Sequence, residues 1–146
     1  MCLSIETATE ATDELVAALN ALLPQLSPAL GPTTHETVAA TLAQPGLTLL
    51  LARNARGEIV GTASLHRYRL VSGPRTYLED VVVDEAARGQ GIGEVLTREA
   101  VRLAREAGAS DLHLTSGLQR VAAHRLYERL GFTRRETGFF RIALNE

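Results

Sequence analysis

Three glycines at alternate positions follow an arginine in the segment Arg88-Gly89-Gln90-Gly91-Ile92-Gly93, directly after a strand-like run of valines. Glycine adopts backbone angles that bulkier residues avoid, and it keeps side chains away from a ligand that approaches the turn. A long amphipathic pattern begins at this point, so the first N–H groups of its helix have no partner within the helix. Together with the helix dipole, they form a site suited to an anion, above all a phosphate.

Two common phosphate-binding motifs do not match this segment. The dinucleotide fingerprint G-x-G-x-x-G fits Gly89 and Gly91, but Glu94 occupies the place of its third glycine. A P-loop needs a lysine, and all 15 basic residues of this chain are arginines. A glycine turn that merely begins a helix is the alternative interpretation. Arg88 and the preceding strand favour the phosphate interpretation over it.

The segment Arg88–Gly93 resembles the pyrophosphate loop R/Q-x-x-G-x-G/A of the GNAT superfamily of N-acetyltransferases, and the valines before it resemble that family's fourth strand. Downstream, the run RVAAHRLYERLGF over residues 120–132 resembles the family's helix motif N-x-x-A-x-x-L-Y-x-x-x-G-F. Two motifs at the family's spacing make the resemblance specific over about residues 77–133. The remainder of the chain agrees with the family in element order alone.

The resemblance implies transfer of an acetyl group from acetyl-CoA, as co-substrate, to a primary amine. Backbone groups of the valines would pair with the pantetheine arm like an additional strand, and N–H groups of the glycine loop would bind the pyrophosphate. The expected cofactor-binding residues are Val81, Val82, Val83, Arg88, Gly89, Gln90, Gly91, Ile92, Gly93, Glu94, Arg120 and Ala123. No metal is expected, because the spacing of the four histidines indicates no ligand set.

The resemblance also directs the hydroxyl of Tyr127 at the CoA sulfur. Attack by an amine on a thioester expels a thiolate, whose thiol has a pKa of about 8.5, whereas tyrosine has a pKa of about 10. Tyr127 is therefore protonated at neutral pH and can serve as the general acid. A core aromatic on the apolar face of its helix is the alternative interpretation.

Deprotonating a lysine-like amine at pH 7 costs about 4 kcal/mol, which calls for a nearby base. Glu79 and Asp80 precede the valines, and successive strand residues face opposite sides of a sheet. Glu79 should share a side with Val81 and Val83, so we rank it first as the base or amine-orienting group, with Asp80 second. A surface charge or an ion pair with an arginine is the alternative for either carboxylate.

The chain departs from the family pattern at two positions. Arg120 stands where the helix motif often has asparagine, so it either contacts phosphate or faces solvent. Thr115 stands where the branch that acetylates ribosomal-protein N-termini has a catalytic glutamate, which argues against that substrate. By the resemblance, the acceptor binds between residues 26–37 and 66–77. The segment His66–Arg69 either lines this pocket or is a solvated or dimer-forming strand.

Hydrophobic periodicity predicts the elements that hold these residues, in the order β-α-α-β-β-β-α-β-α-β. We expect one α/β domain over residues 1–146, in which helices flank a mixed, mostly antiparallel twisted sheet. The resemblance implies that this sheet splays between its fourth and fifth strands. The predicted strands lie around Ile5 and over Leu47–Ala52, Ile59–Leu70, Arg75–Val83, Leu112–Thr115 and Phe139–Leu144; the predicted helices cover about Leu15–Leu26, Thr33–Gln44, Ile92–Ala107 and Ala123–Leu130.

Composition narrows the class of protein. A chain of 146 residues with 45% hydrophobic residues and a net charge of −2 is typical of one globular domain, and it lacks the basic character of a nucleic-acid binder. A single cysteine, Cys2, excludes an internal disulfide. Without a membrane-length apolar run or a signal-peptide pattern, we expect a cytoplasmic protein that binds neither membrane nor nucleic acid.

The expected partner is a small-molecule or peptide amine acceptor. The sequence is also compatible with a homodimer. The sequence is compatible with two other functions. One is a non-catalytic module that senses acyl-CoA. The other is a phosphate-binding domain with no role for CoA.

Overall fold

A computed structural model of the chain describes residues 2–145. The chain divides into two compact units, residues 1–115 and 116–146, and each unit is described by itself. The prediction of a single domain over residues 1–146 therefore stays a prediction.

The first unit contains a four-stranded sheet in which sequence neighbours are also spatial neighbours. Its strands are β1 (Ser4–Thr7), β2 (Leu47–Arg53), β3 (Ile59–Leu70) and β4 (Gly73–Val83). Every adjacent pair is antiparallel, in the order β1-β2-β3-β4. Leucine predominates in β2, and β3 begins with Ile59 and Val60, so both central strands supply apolar side chains to the interior.

Three helices accompany this sheet: α1 (Asp13–Leu26), α2 (His35–Leu42) and α3 (Ile92–Glu106). Threonine hydroxyls cap the first two, since Thr12 accepts the N–H of Leu15 and Thr34 accepts the N–H of Thr37, each at 3.1 Å. Helix α1 continues through Pro24 before it ends, so that proline does not terminate it.

The side chains of the sheet form two cores, one on each face. On one face, which we call the α3 face, the sheet packs against α3. On the other, the α1–α2 face, it packs against α1 and α2. The α3 face includes Leu50, Ala63, Leu65, Leu78 and Leu96, and the α1–α2 face includes Leu15, Leu19, Val38, Leu49 and Leu51. Alternate residues of one strand thus enter different cores, as the pleat requires.

A β-bulge interrupts β4 immediately before its valines. Thr62 pairs with Val82 and Ser64 pairs with Glu79, so the two residues between Glu79 and Val82 stand opposite Ala63 alone. One of these two, Asp80, has a φ of +52°, a left-handed conformation that residues other than glycine seldom adopt. The extra residue reverses the alternation of side chains for the rest of the strand.

The two predicted C-terminal strands differ from the structure. Residues 112–115 form only an isolated parallel bridge, in which His113 pairs with Tyr77 of β4. Residues 139–144 form no strand, and Phe139, Phe140, Ile142 and Leu144 are at least 81% exposed. A strand needs a neighbouring strand to satisfy its backbone, and residues 116–145 of the second unit contain one helix, α4 (Val121–Arg129), and no strand.

The α/β class, the mostly antiparallel sheet and the flanking helices are confirmed. At the outer edge of β4, Leu78 donates to the carbonyl of His113 at 2.8 Å and His113 donates to that of Thr76 at 2.9 Å. Beyond this bridge, no strand in the described part of the chain pairs with the outer edge of residues 79–83. The sheet is therefore open between β4 and the following segment, as the resemblance implies.

Candidate active site

The glycine loop lies between the end of β4 and the start of α3. Asp84 leads into it and caps the short 3-10 turn Glu85–Ala87 by accepting the N–H of Ala86 at 3.1 Å. Arg88 then folds back, and its Nε donates to the carbonyl oxygen of Val83 at 3.1 Å. These local contacts hold the loop against the strand end from which it emerges.

Two glycines of the loop have left-handed backbones. Gly89 has a φ of +79° and Gly91 a φ of +78°, and a Cβ built on either residue would meet no atom within 4 Å. Glycine is thus required there by backbone conformation rather than by crowding in the protein itself. The open space beside both residues leaves their backbone accessible to a ligand.

The N-terminus of α3 is suited to an anion. Gly91 is its N-cap residue and supplies no capping side chain, and the first N–H of the regular ladder is that of Val95, which bonds to Gly91 at 3.1 Å. An uncapped N-terminus at the positive end of the helix dipole attracts a phosphate group. The Glu94 carboxylate pairs with Arg98 at 3.5 Å, so the backbone of Glu94, rather than its side chain, is suited to an anion.

The outer edge of β4 offers backbone groups for an extended ligand. Asp84 donates its N–H to Val60 of β3 at 2.8 Å, so this end of β4 is still in register with β3. Because backbone groups alternate along an antiparallel strand, Val81 and Val83 direct theirs to the open edge, where the Val83 carbonyl also accepts from Arg88. Their side chains pack on the α3 face, whereas the Val82 side chain is buried on the other. An open strand edge beside an uncapped helix N-terminus is suited to a ligand with an extended arm and a phosphate group.

The bulge corrects the predicted position of Glu79. Val81 and Val83 pack with Leu78 in the α3 core, whereas Glu79 pairs with Ser64 and shares the α1–α2 face with Val82. The expectation that Glu79 faces the same side as Val81 and Val83 is therefore wrong. Regular alternation does not continue across an inserted residue.

Glu79 and Asp80 are both exposed, and neither forms an ion pair with any described arginine or histidine. The ion-pair alternative for these carboxylates is not observed over residues 2–145. Both carboxylates are thus accessible beside the bulge, at the point where the open edge of β4 begins.

Tyr127 lies on α4 in the second unit. Its ring meets that of Phe132 edge-on at a centroid distance of 5.8 Å, and its carbonyl accepts the N–H of Phe132 at 3.0 Å. Partial burial raises the pKa of the Tyr127 phenol, and the positive charge of Arg120 opposes that rise. The phenol is therefore protonated at neutral pH, as a proton donor must be.

The structure brings together, in the first unit, the acidic pair, the three valines and the glycine loop. Tyr127, Arg120 and Ala123 belong to the second unit, where Arg120 precedes α4 as its N-cap residue and Ala123 is half-buried. Their participation in one site with the glycine loop stays a prediction.

Sequence reasoning missed a row of four rings on the α1–α2 face, formed by His66, Tyr68, Tyr77 and His113. The i,i+2 spacing of His66 and Tyr68 in β3 indicated that these two share a face. No local signal pairs them with Tyr77 and His113, because that contact depends on strand register.

Over residues 2–145, no three His, Cys, Asp or Glu side chains converge as metal ligands would. None of the described helices has the length and apolar character needed to cross a bilayer.

The sequence pattern of the acetyltransferase (GNAT) family matches residues 14–132, so the chain belongs to this family and is an N-acetyltransferase. It is 33% identical over 135 residues to the aminoalkylphosphonate N-acetyltransferase of Salmonella typhimurium, covering 90% of this chain and 85% of that one. It is 32% identical over 104 residues to an aminoglycoside N(6')-acetyltransferase type 1 of Serratia marcescens, covering 68% and 71%. A solved structure from Agrobacterium tumefaciens, assigned as an acetyltransferase, aligns with a TM-score of 0.83 and 31% identity over 96% of this chain and 99% of that one.

Proposed function

We propose that this protein transfers the acetyl group of acetyl-CoA to the primary amine of a small molecule by direct attack. One observation carries the proposal: the uncapped glycine entry to α3 directly follows a strand whose outer edge is open. A pyrophosphate and an extended pantetheine arm require these two features side by side. The relatives named for aminoalkylphosphonates and aminoglycosides support a small amine as the acceptor.

In the proposed reaction, the neutral amine nitrogen attacks the thioester carbonyl carbon. A C–N bond forms, the C–S bond breaks as the tetrahedral centre collapses, and the products are an amide and the CoA thiol. Glu79, exposed beside the bulge, accepts the amine proton directly or through water, and Asp80 is the second candidate for that role. Removing this proton costs about 4 kcal/mol at pH 7, which is within the range that a positioned base supplies.

Tyr127 is the proposed proton donor to the leaving thiolate. The family motif carries this assignment, and the raised pKa of its phenol agrees with a group that is protonated at neutral pH. The proposed CoA contacts are the backbone of Val81 and Val83, the loop Arg88–Gly93 and the backbone of Glu94. Arg120 and Ala123, on the second unit, are proposed to contact CoA on the motif alone.

Two measurements on the full chain test this function. Isothermal calorimetry should show saturable binding of acetyl-CoA, with desulfo-CoA as a ligand that cannot react. A thiol-release assay with a panel of primary amines should show amine-dependent turnover, and mass spectrometry should find the acetylated amine. Absence of saturable binding would reject the cofactor site, whereas binding without turnover on any amine would reject the transferase assignment.

A further inference from the structure

The α1–α2 face of the sheet continues beyond the helices that cover it. Its buried cluster reaches Leu49 and Leu51 of β2, which pair with Ser64 and Thr62 of β3. The next residues of β3 on this face are His66, Tyr68 and Leu70, and none of them joins either core. Tyr68 is 40% exposed and Leu70 is 46% exposed. An apolar and aromatic strip therefore extends beyond the packed part of the face.

The rings of this strip contact one another across three segments of the chain. Ring centroids lie 5.1 Å apart for His66 and Tyr68, 6.2 Å for Tyr68 and Tyr77, and 5.2 Å for Tyr77 and His113. The Tyr68 and Tyr77 planes are nearly parallel, at 11°. These distances fall within the range of favourable aromatic pairs. The bridge between Tyr77 and His113 fixes the row to the edge of β4.

Glu79 lies on the same face as these rings because of strand register. Tyr77 pairs with His66 and Glu79 pairs with Ser64, and residues paired across two strands point to the same face of the sheet. Tyr77 precedes Glu79 by two residues, which places them about 7 Å apart along the strand. An amine held at Glu79 thus has its remaining atoms within reach of the ring row.

The charges around the row favour a neutral body for that molecule. Arg75 pairs with Tyr68 in the register, and its guanidinium donates to the Ser72 hydroxyl at 2.9 Å and to the Pro74 carbonyl. Asp111 lies 3.8 Å from the buried Nδ1 of His113. Besides the Glu79 carboxylate, which faces the reacting amine, Arg75 and Asp111 thus place one charge of each sign beside the row, so neither a second cation nor an anion is selected. The exposed side chains of the strip itself, Tyr68 and Leu70, are aromatic and aliphatic.

We infer that the ring row binds the body of the acceptor, and that the preferred acceptor is a primary amine carrying a neutral aromatic ring on a short alkyl chain. This inference rests on the proposed function, since it assigns the substrate class of the same site. Offset stacking of a further ring on the row should favour an aryl amine over an alkyl amine of similar length by about threefold to tenfold in kcat/KM.

Thiol release by the full chain would be compared for 4-phenylbutylamine, hexylamine, putrescine and 2-aminoethylphosphonate. We expect 4-phenylbutylamine to have the highest kcat/KM. Equal kcat/KM for the phenyl and hexyl amines, or a higher value for either charged amine, would overturn the inference and leave the transferase assignment intact. Turnover on none of the four amines or the wider panel would instead reject the proposed function.

Variants of the exposed Tyr68 separate ring recognition from general damage. Tyr68→Leu should raise KM for 4-phenylbutylamine by about threefold to tenfold, with kcat and the KM for acetyl-CoA unchanged. Tyr68→Phe retains the ring and should keep the wild-type KM, and Tyr68→Leu should raise the KM for hexylamine by a smaller factor than the KM for 4-phenylbutylamine. Equal aryl-amine KM values for Tyr68→Leu and wild type would remove Tyr68 from the acceptor site.

Discussion

Replacing Gly91 by alanine should separate two roles of the glycine loop, backbone conformation and access of an anion. Gly91 has a φ of +78°, and an added Cβ would meet nothing within 4 Å, so the variant can fold without a clash. Left-handed backbone costs an L-residue about 1–2 kcal/mol. The smaller entropy of the unfolded alanine chain offsets about 0.4–1 kcal/mol of this. The net loss of unfolding free energy should be about 1 kcal/mol, or roughly 2–4 °C in Tm.

Gly57 provides a matched control in the turn between β2 and β3. It has a φ of +79°, and a Cβ there would also meet nothing within 4 Å. Gly57→Ala should therefore lose about as much stability as Gly91→Ala, because the strain is the same and neither methyl group is crowded. Thermal or urea unfolding of the two variants checks this equality.

Only Gly91→Ala should weaken acetyl-CoA binding. Its methyl group would enter the space from which a pyrophosphate approaches the N–H groups of α3. A hydrogen bond to a charged group is worth about 1.5–3 kcal/mol, so losing one raises Kd about 10-fold to 100-fold. Calorimetry with desulfo-CoA measures this change in both variants. Equal Kd values for Gly57→Ala and Gly91→Ala would refute the assignment of the loop as the anion site.

Three further predictions concern the proposed acid, the core and an ion-pair cluster. Tyr127→Phe should lower kcat by about one to three decades in a chemistry-limited assay. Because the phenol pKa is raised, deprotonation of Tyr127 should not lower the wild-type kcat below about pH 10. A fall in wild-type kcat below that pH that is absent in Tyr127→Phe would contradict this. Leu96→Ala, at a fully buried position, should lower the free energy of unfolding by about 2–5 kcal/mol in urea titrations, whereas Val95→Ala, at a partly exposed position, should change it little. Arg53 donates to both Glu14 carboxylate oxygens at 2.8 Å and lowers the pKa of that carboxyl. The stabilisation from this ion pair is therefore present above the unfolded-state pKa of Glu14 and is lost as pH falls through the lower folded-state pKa. The difference in urea midpoint between wild type and Arg53→Met should shrink from about pH 7 to about pH 3, and a constant difference would argue against this role of the ion pair.

The elements that depend on local pattern agree with the sequence predictions. The start of α2 near Thr33, the strand before the glycine loop and the start of α3 at Ile92 were all expected from neighbouring residues. Capping and left-handed glycine conformations act within one helical turn, so a short stretch of sequence contains the information that they need. The glycine loop could be predicted for the same reason.

Features that depend on distant partners could not be predicted in this way. In the bulge at Asp80, two residues of β4 stand opposite Ala63 of β3, so the bulge depends on how these two strands pair. It places Glu79 on the face opposite that of Val81 and Val83. The ring row joins β3, β4 and His113 through register and one parallel bridge. Residues 139–144 have strand-like composition, yet they form no strand in the described structure.

The sequence by itself therefore determined the family, the glycine loop and the candidate proton donor, because the two motifs consist of residues close together in the chain. The tertiary structure decided which face of the sheet carries Glu79 and which side chains accompany it there. The pairing register of β3 and β4 sets the face on which Glu79 lies, because one inserted residue moves every later side chain to the opposite face. The local hydrophobic pattern of the sequence does not show where such an insertion lies.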